Sequence, residues 1–192
     1  MKLLAVLYAT REGQTRRIAE HIAATLRARE YSVDVVDVGG ALPADLDLTR
    51  YAAAVVAASV HIGKHEKEMV AFVKAHRAEL GRMPTAFLSV SLSEAGVEDA
   101  SASAKRRERA AANVNVTIGR FLRDTGWNAT HVHPVAGALL YRQYGVIVRL
   151  VMRFIATQTG ATTDTSRDHE YTDWEALDRF AHELLADVEK QK

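Results

Sequence analysis

The chain has no cysteine among its 192 residues. That absence removes disulfides, thiolate metal sites, cysteine nucleophiles and cysteine-ligated iron–sulfur clusters together. Proline is scarce at 3 and glycine stands at 11, too few for a flexible linker, a collagenous repeat or a disordered tail. Neither sign of charge is in excess, since 25 Lys and Arg face 24 Asp and Glu for a formal net charge of +1. A dedicated nucleic-acid binder carries a basic excess and aromatic residues interleaved with it; neither is present, so nucleic acid is not expected as a partner. Long hydrophobic runs are missing too. The greasiest stretch, Tyr144 to Ala156, contains Arg149 and Arg153 and falls short of the roughly 18 uninterrupted apolar residues of a spanning helix. The apolar start, Leu3 to Tyr8, is too short for a signal-peptide core and has no small-residue cleavage pattern. The expected location is therefore cytoplasmic.

What is present is an ordinary globular composition, 48% hydrophobic and 26% charged, of a size that one domain spanning residues 1–192 accommodates. Strand-length apolar runs at Leu3–Tyr8, Val33–Val38, Ala54–Ala58, Ala86–Val90 and Val132–Ala138 alternate with segments of helical period, the pattern of a parallel sheet wrapped by helices. Ile18, Ile22 and Leu26 mark one helical face. Met69, Phe72, Val73, His76 and Leu80 mark a second, and Val114, Ile118, Phe121, Leu122 and Thr125 a third. Thr172-Asp173-Trp174-Glu175 reads as a capping box opening a terminal helix, with the Thr hydroxyl on a free backbone N–H. Two connections, Leu92 to Ala104 and Leu139 to Tyr171, exceed a minimal alternation, and the second contains an extra apolar helix.

The first strand runs into Thr10-Arg11-Glu12-Gly13-Gln14-Thr15 at the start of a helix. Hydroxyls, a glycine that lets backbone approach, and free helix N–H groups make an anion cradle, although a plain Thr-capped turn uses the same residues. Neither a G-x-x-x-x-G-K-[ST] nor a G-x-G-x-x-G pattern is present, which points to a monophosphate rather than a nucleoside triphosphate or dinucleotide. Three further loops leave strand ends: Ser59 to Lys64, Ser91 to Ser93, and Gly137 to Leu139. In open parallel sheets ligands collect at such ends, and the small, hydroxyl and apolar mixture suits a flat heteroaromatic ring. His131 and His133 would point to one side of a strand, but a pair without a third ligand makes no metal site; no metal is expected. Tyr144 to Ile155 reads either as a core helix with a narrow solvated stripe or as a cationic helix lying on anionic headgroups.

These features resemble the flavodoxin superfamily. More narrowly, Ala9 to Thr15, Met83 to Phe87, Ala136 to Leu139, Thr163-Asp164-Thr165 and Tyr171 to Glu175 resemble the quinone-dependent protoporphyrinogen dehydrogenases of bacterial haem biosynthesis. The resemblance implies a flavodoxin-like, doubly wound α/β fold with a five-stranded parallel sheet in the order 2-1-3-4-5. It also implies an FMN that takes electrons from protoporphyrinogen IX and passes them to menaquinone or ubiquinone, at the inner face of the cell membrane. On that reading Thr10, Arg11, Glu12, Gly13, Gln14 and Thr15 hold the FMN phosphate. Ser59, Val60, His61, Ile62 and Gly63, with Ser91 and Leu92, flank the ring. No side chain is assigned to proton transfer; Tyr141 and Arg142 lie just past the fifth strand, for substrate contact or for structure alone. The basic cluster Lys105-Arg106-Arg107 with Arg109 is a solvated face or a site for substrate carboxylates or acidic lipid. A soluble FMN electron carrier and an NAD(P)H:quinone reductase stay open as alternatives. Carrier flavodoxins are strongly acidic for docking on basic partners, and the +1 charge argues against that class. Homo-oligomerisation is left open.

Overall fold

The structure, a computed structural model, describes residues 2–139 and 169–190. In chain order the elements are β1 (Leu3–Ala9), α1 (Gln14–Arg27), β2 (Ser32–Asp37), a 3-10 turn (Leu48–Arg50), β3 (Ala53–His61), β4 (Lys64–His65), α2 (Lys67–Ala75) and α3 (Arg77–Leu80). There follow β5 (Thr85–Ser91), α4 (Leu92–Glu98), α5 (Ala104–Thr125), β6 (His131–Ala136), β7 (Ala138–Leu139), β8 (His169–Glu170) and α6 (Trp174–Lys190). The expected extra helix at Tyr144–Ile155, with Arg149 and Arg153, lies outside the described residues, as do Tyr141, Arg142 and Thr163-Asp164-Thr165.

The long strands pair in the order β2-β1-β3-β5-β6, all parallel, with Val6 opposite Val35 on one side and Val55 on the other. This is the 2-1-3-4-5 order expected for five strands. Sequence explains which strand goes where. The central β3 and β5 are mostly small and apolar, with only Thr85, Ser59, Ser89, Ser91 and His61 polar, and are buried over nearly their whole length, whereas the edge strand β2 exposes Asp34 and Asp37 and buries only Val33 and Val36. Short β4 adds to β3 as an antiparallel hairpin, and its turn residues Ile62 and Gly63 both have positive φ, 49° and 69°, the geometry a tight hairpin requires.

Two apolar layers cover the sheet. On one face Ile18, Ile22 and Leu26 of α1 and Leu177, Ala181 and Leu184 of α6 bury against Leu4, Val6 and Leu88. On the other, Met69 and Val73 of α2 and Val114, Ile118 and Phe121 of α5 bury against Leu7, Val56 and Phe87. The Phe87 and Phe121 rings stack with centroids 4.3 Å apart; complete burial of one such side chain is worth about 3 kcal/mol.

Three expectations need correction and one connection is filled in. The single helix expected over Met69–Leu80 breaks at His76, whose φ of −108° and ψ of 20° leave the helical region. The apolar face survives because His76 N–H still reaches the Phe72 carbonyl and Leu80 N–H reaches that of His76. The long Leu92–Ala104 connection starts as helix α4, which Ser91 caps directly, its Oγ accepting from the Glu94 N–H at 3.2 Å. The fifth strand stops at Ala136 rather than Ala138, because after Gly137 the chain leaves β5 and pairs with β8. Finally, α6 is capped by Asp173, whose Oδ1 accepts from the Ala176 N–H at 2.9 Å. Thr172 does not cap it; its hydroxyl donates to the Ala136 carbonyl at 2.8 Å.

Candidate functional site

The carboxyl ends of β1, β3, β5 and β6 open on one cleft lined by Thr10, Glu12, Gln14, Thr15, Ser59, Val60, His61, Val90, Ser91, Leu92, Gly137 and Ala138. Segments scattered across more than 120 positions of sequence thus meet, because a parallel sheet brings all its outgoing loops to one end. Of the residues singled out from sequence, Thr10, Glu12, Gln14, Thr15, Ser59, Val60, His61, Ser91 and Leu92 line this cleft. Arg11, Gly13, Ile62 and Gly63 do not. Arg11 folds back onto Glu66, Gly13 forms the helix junction, and Ile62 stands at the hairpin tip with 89% of its surface exposed.

The β1–α1 loop carries the features of an anion site. Gly13 is the N-cap of α1 with φ 89°, a left-handed conformation that glycine adopts without penalty. A Cβ there would find nothing within 4 Å, so backbone conformation rather than crowding requires the glycine. No side chain caps α1 and no acidic residue occupies its first turn, which leaves the positive end of the helix dipole unneutralised. The Thr15 hydroxyl, in a residue only 1% exposed, has no hydrogen-bond partner among the described residues. Burying a hydroxyl unpaired costs about 1–3 kcal/mol, so the fold tolerates here a donor waiting for an acceptor. Thr10 Oγ1 accepts the Gly13 N–H at 3.1 Å and shapes the loop. Gln14 serves as a strut, its Nε2 donating to Glu170 Oε1 at 2.8 Å and to Thr172 Oγ1 at 2.9 Å. In this way the entry to α6 is tied to the first turn of α1.

A second network joins the β1–α1 loop to the β3–β4 hairpin, and its centre is a residue the sequence did not single out. Glu66, buried just after β4, accepts from Arg11 Nε at 2.9 Å and from Ser59 Oγ at 3.0 Å. His61 Nε2 lies 3.1 Å from Glu66 and 2.9 Å from Glu12. Burial opposes a charge on His61, but the hydrogen bond and charge of Glu12 together with the charge of Glu66 outweigh it and raise its pKa above the ordinary imidazole value. The Glu12 carboxylate is thereby engaged by His61 instead of facing the helix N-terminus alone. A lone Glu between a hairpin and a helix leaves no pattern in sequence, and only the fold shows that three partners converge on it.

Residues 5–166 match the flavodoxin domain family. The chain belongs to the flavodoxin family. Along nearly its whole length this flavodoxin-family chain is 33% identical to protoporphyrinogen IX dehydrogenase [quinone] of Escherichia coli strain K12, covering 96% of itself and 94% of that protein. It is equally 33% identical to the protein of the same name from Leishmania major, over 94% of itself and 74% of that protein. Among solved structures it superposes on a flavodoxin mutant from Fusobacterium nucleatum bound to flavin mononucleotide. The TM-score is 0.51 at 10% identity, over 100% of this chain and 97% of that one. At that identity the likeness shows the fold alone.

The two histidines of β6 are otherwise employed: His131 Nε2 lies 2.6 Å from Asp187 Oδ2, and the His133 ring stacks on Phe180 at 5.0 Å. Among the described residues no group of three metal-ligating side chains occurs, and no helix is long and apolar enough to cross a membrane.

Proposed function

We propose that this flavodoxin-family chain is an FMN-dependent oxidoreductase that oxidises protoporphyrinogen IX and delivers the electrons to a membrane quinone. The observation that carries FMN is the unpartnered Thr15 hydroxyl beside the uncapped helix at Gly13, a donor set matched to one phosphate monoester. The names of the relatives at 33% identity support the substrate pair, and the Fusobacterium flavodoxin, bound to flavin mononucleotide, supports the cofactor. When bound, the flavin supplies the redox chemistry by accepting hydride equivalents and releasing electrons. The protein binds, orients and shields. Thr10, Thr15 and the first N–H groups of α1 hold the phosphate. Val60, Val90 and Leu92 give the cleft apolar walls that exclude water, and Ser59 and Ser91 offer hydroxyls beside them. His61 holds a proton at Nε2 between Glu12 and Glu66 at the rim. Contact with an anionic membrane surface rests on the sequence of Tyr144–Ile155.

The test is reconstitution with FMN or riboflavin, followed by turnover of protoporphyrinogen with a soluble quinone and detection of the fluorescent porphyrin. FMN is expected to bind at least tenfold more tightly than riboflavin. Thr15→Val should remove most of that preference while leaving the apo fold at least as stable, since it deletes an unpaired hydroxyl. Equal affinity for the two flavins would overturn the phosphate assignment. Reduction of the bound FMN only by partner redox proteins, with no porphyrin formed, would overturn the enzyme reading in favour of a carrier.

A further inference from the structure

The β3–β4 hairpin separates the cleft from a second cavity. Val60 and His61 line the cleft, whereas Lys64 and His65 line a groove of about 410 Å³ between α2 and α5, within the size range of small-molecule sites. One wall is Lys67, Val70, Ala71 and Lys74; the other is Thr117, Arg120, Phe121 and Asp124. Both sets repeat at i, i+3, i+4 and i+7, so each is one helical stripe and the two stripes face each other. The floor is apolar and the rim is cationic, with Lys64, Lys67, Lys74 and Arg120 against Asp124 as the one acid in the lining.

These cations are not there for one another. Among the described residues no ion pair joins α2 to α5 and neither Lys64 nor Lys74 has one; Lys67 reaches only Glu68, at 3.9 Å. Lys67 and Lys74 lie on one face, two turns or roughly 10 Å apart along the axis. Arg120 donates to the Gly63 carbonyl at 3.0 Å and so fastens the hairpin tip to α5. At that tip Ile62, a β-branched residue at positive φ, stays almost wholly in water between cleft and groove. Both the backbone strain and the exposure run against local preference, a combination that functional positions tolerate.

We propose that the α2–α5 groove is the docking subsite for the substrate's carboxylates: Lys67, Lys74 and Arg120 pair with them, and the apolar tetrapyrrole lies along Val70, Ala71 and Phe121 toward Ile62 and the cleft. This rests on the protoporphyrinogen reading, because the ligand must be both bulky and apolar and carry two carboxylates. Charge complementarity selects an anion. Concavity selects a small molecule over a membrane, since a flat lipid surface would meet the rim and leave the apolar floor unfilled.

The experiment uses the full FMN-loaded chain and a Lys67→Glu/Lys74→Glu variant, with Lys105→Glu/Arg106→Glu as a charge-matched control at the start of α5. KM for protoporphyrinogen should rise roughly tenfold or more in the groove variant, while kcat, FMN content and the KM for a soluble quinone stay at parent values. In parallel, fluorescence titration with protoporphyrin IX and its dimethyl ester should show the parent preferring the diacid and the groove variant losing that preference. Parent-like KM and porphyrin affinity in the groove variant overturn the proposal. So does loss of affinity in the control instead, or loss of binding to phosphatidylglycerol vesicles with porphyrin affinity intact. If the parent forms no porphyrin, the enzymatic reading fails by itself, and the titration still decides the groove: diacid selectivity abolished by Lys67→Glu/Lys74→Glu supports it, and unchanged selectivity overturns it.

Discussion

On one face of the sheet α1 meets α6 along a seam of matched polar pairs, while on the other α2 and α5 face each other across a rim of cations. In the first seam, Asp178 of α6 accepts from Thr25 Oγ1 at 2.7 Å and lies 2.9 Å from His21 Nε2. Trp174 packs against His21 at 4.9 Å, and Arg17 stands over the Trp174 ring. The second seam has no such pairs among the described residues, and beneath it the Trp127 Nε1 is buried without a partner. The first face is mainly aliphatic, with Phe180 and Trp174 among its side chains, and it is paired along the seam, with a hollow beside Tyr31, His182 and Leu185 where α1 ends. The second is aromatic, with Phe87 stacked on Phe121 and Trp127 edge-on to both, and it holds like charges together around a cavity. Packing alone favours the first arrangement, and the unpaired cations of the second are what the proposed carboxylate subsite would use.

The largest expected effect is on the aromatic face. Phe121→Ala removes the ring stacked on Phe87 and should lower unfolding free energy by about 3–5 kcal/mol, read from urea denaturation. A loss no greater than that of an exposed substitution would show that the aromatic layer is not structural.

Next comes acid. His65, at the floor of the groove, is pushed down to about 4 by burial, and its Nε2 lies 2.9 Å from Ser89 Oγ. The unfolded chain therefore takes up this proton before the folded one does. Stability from the neutral imidazole is complete above about pH 6.5 and is lost as pH falls toward 4. His65→Gln should flatten this dependence, so that parent and variant diverge by roughly 2–3 kcal/mol between pH 7 and pH 4. Parallel pH–stability curves would mean that His65 is not held neutral.

The smallest effect belongs to the α1–α6 seam. Asp178→Ala breaks the bonds to Thr25 and His21 at a partly exposed position and should cost on the order of 1 kcal/mol. The hydrogen bond from Thr25 is the first cause of a lowered Asp178 pKa. This contribution is therefore present above the ordinary carboxylate range and lost as pH falls through the folded pKa. The two faces should respond to acid in separate windows, the groove face first.

Much of this was readable from sequence, and particular residues show why. A continuous run such as Leu3 to Tyr8 reads as a strand covered on both sides, and the Ile18, Ile22, Leu26 spacing buries one helical stripe; both follow from local periodicity. Gly13 and Thr15 stood out because their chemistry lies within one short loop. Thr172 was misread as a cap because cap patterns are degenerate: Thr172 and Asp173 both offer an oxygen to the first turn. The choice fell to Asp173 once the Ala136 carbonyl and Gln14 claimed the Thr172 hydroxyl.

The sequence by itself determined the alternation of strands and helices and the glycine and threonines of the β1–α1 loop, since each depends on side chains within a few positions of one another. Only tertiary structure decided that Glu66 gathers Arg11, Ser59 and His61, that Gln14 braces Glu170 and Thr172, and that Lys67, Lys74 and Arg120 share one groove. Those groupings join residues far apart in the chain. Their energies depend on distance and burial in the folded state, quantities that no local pattern of residue types encodes.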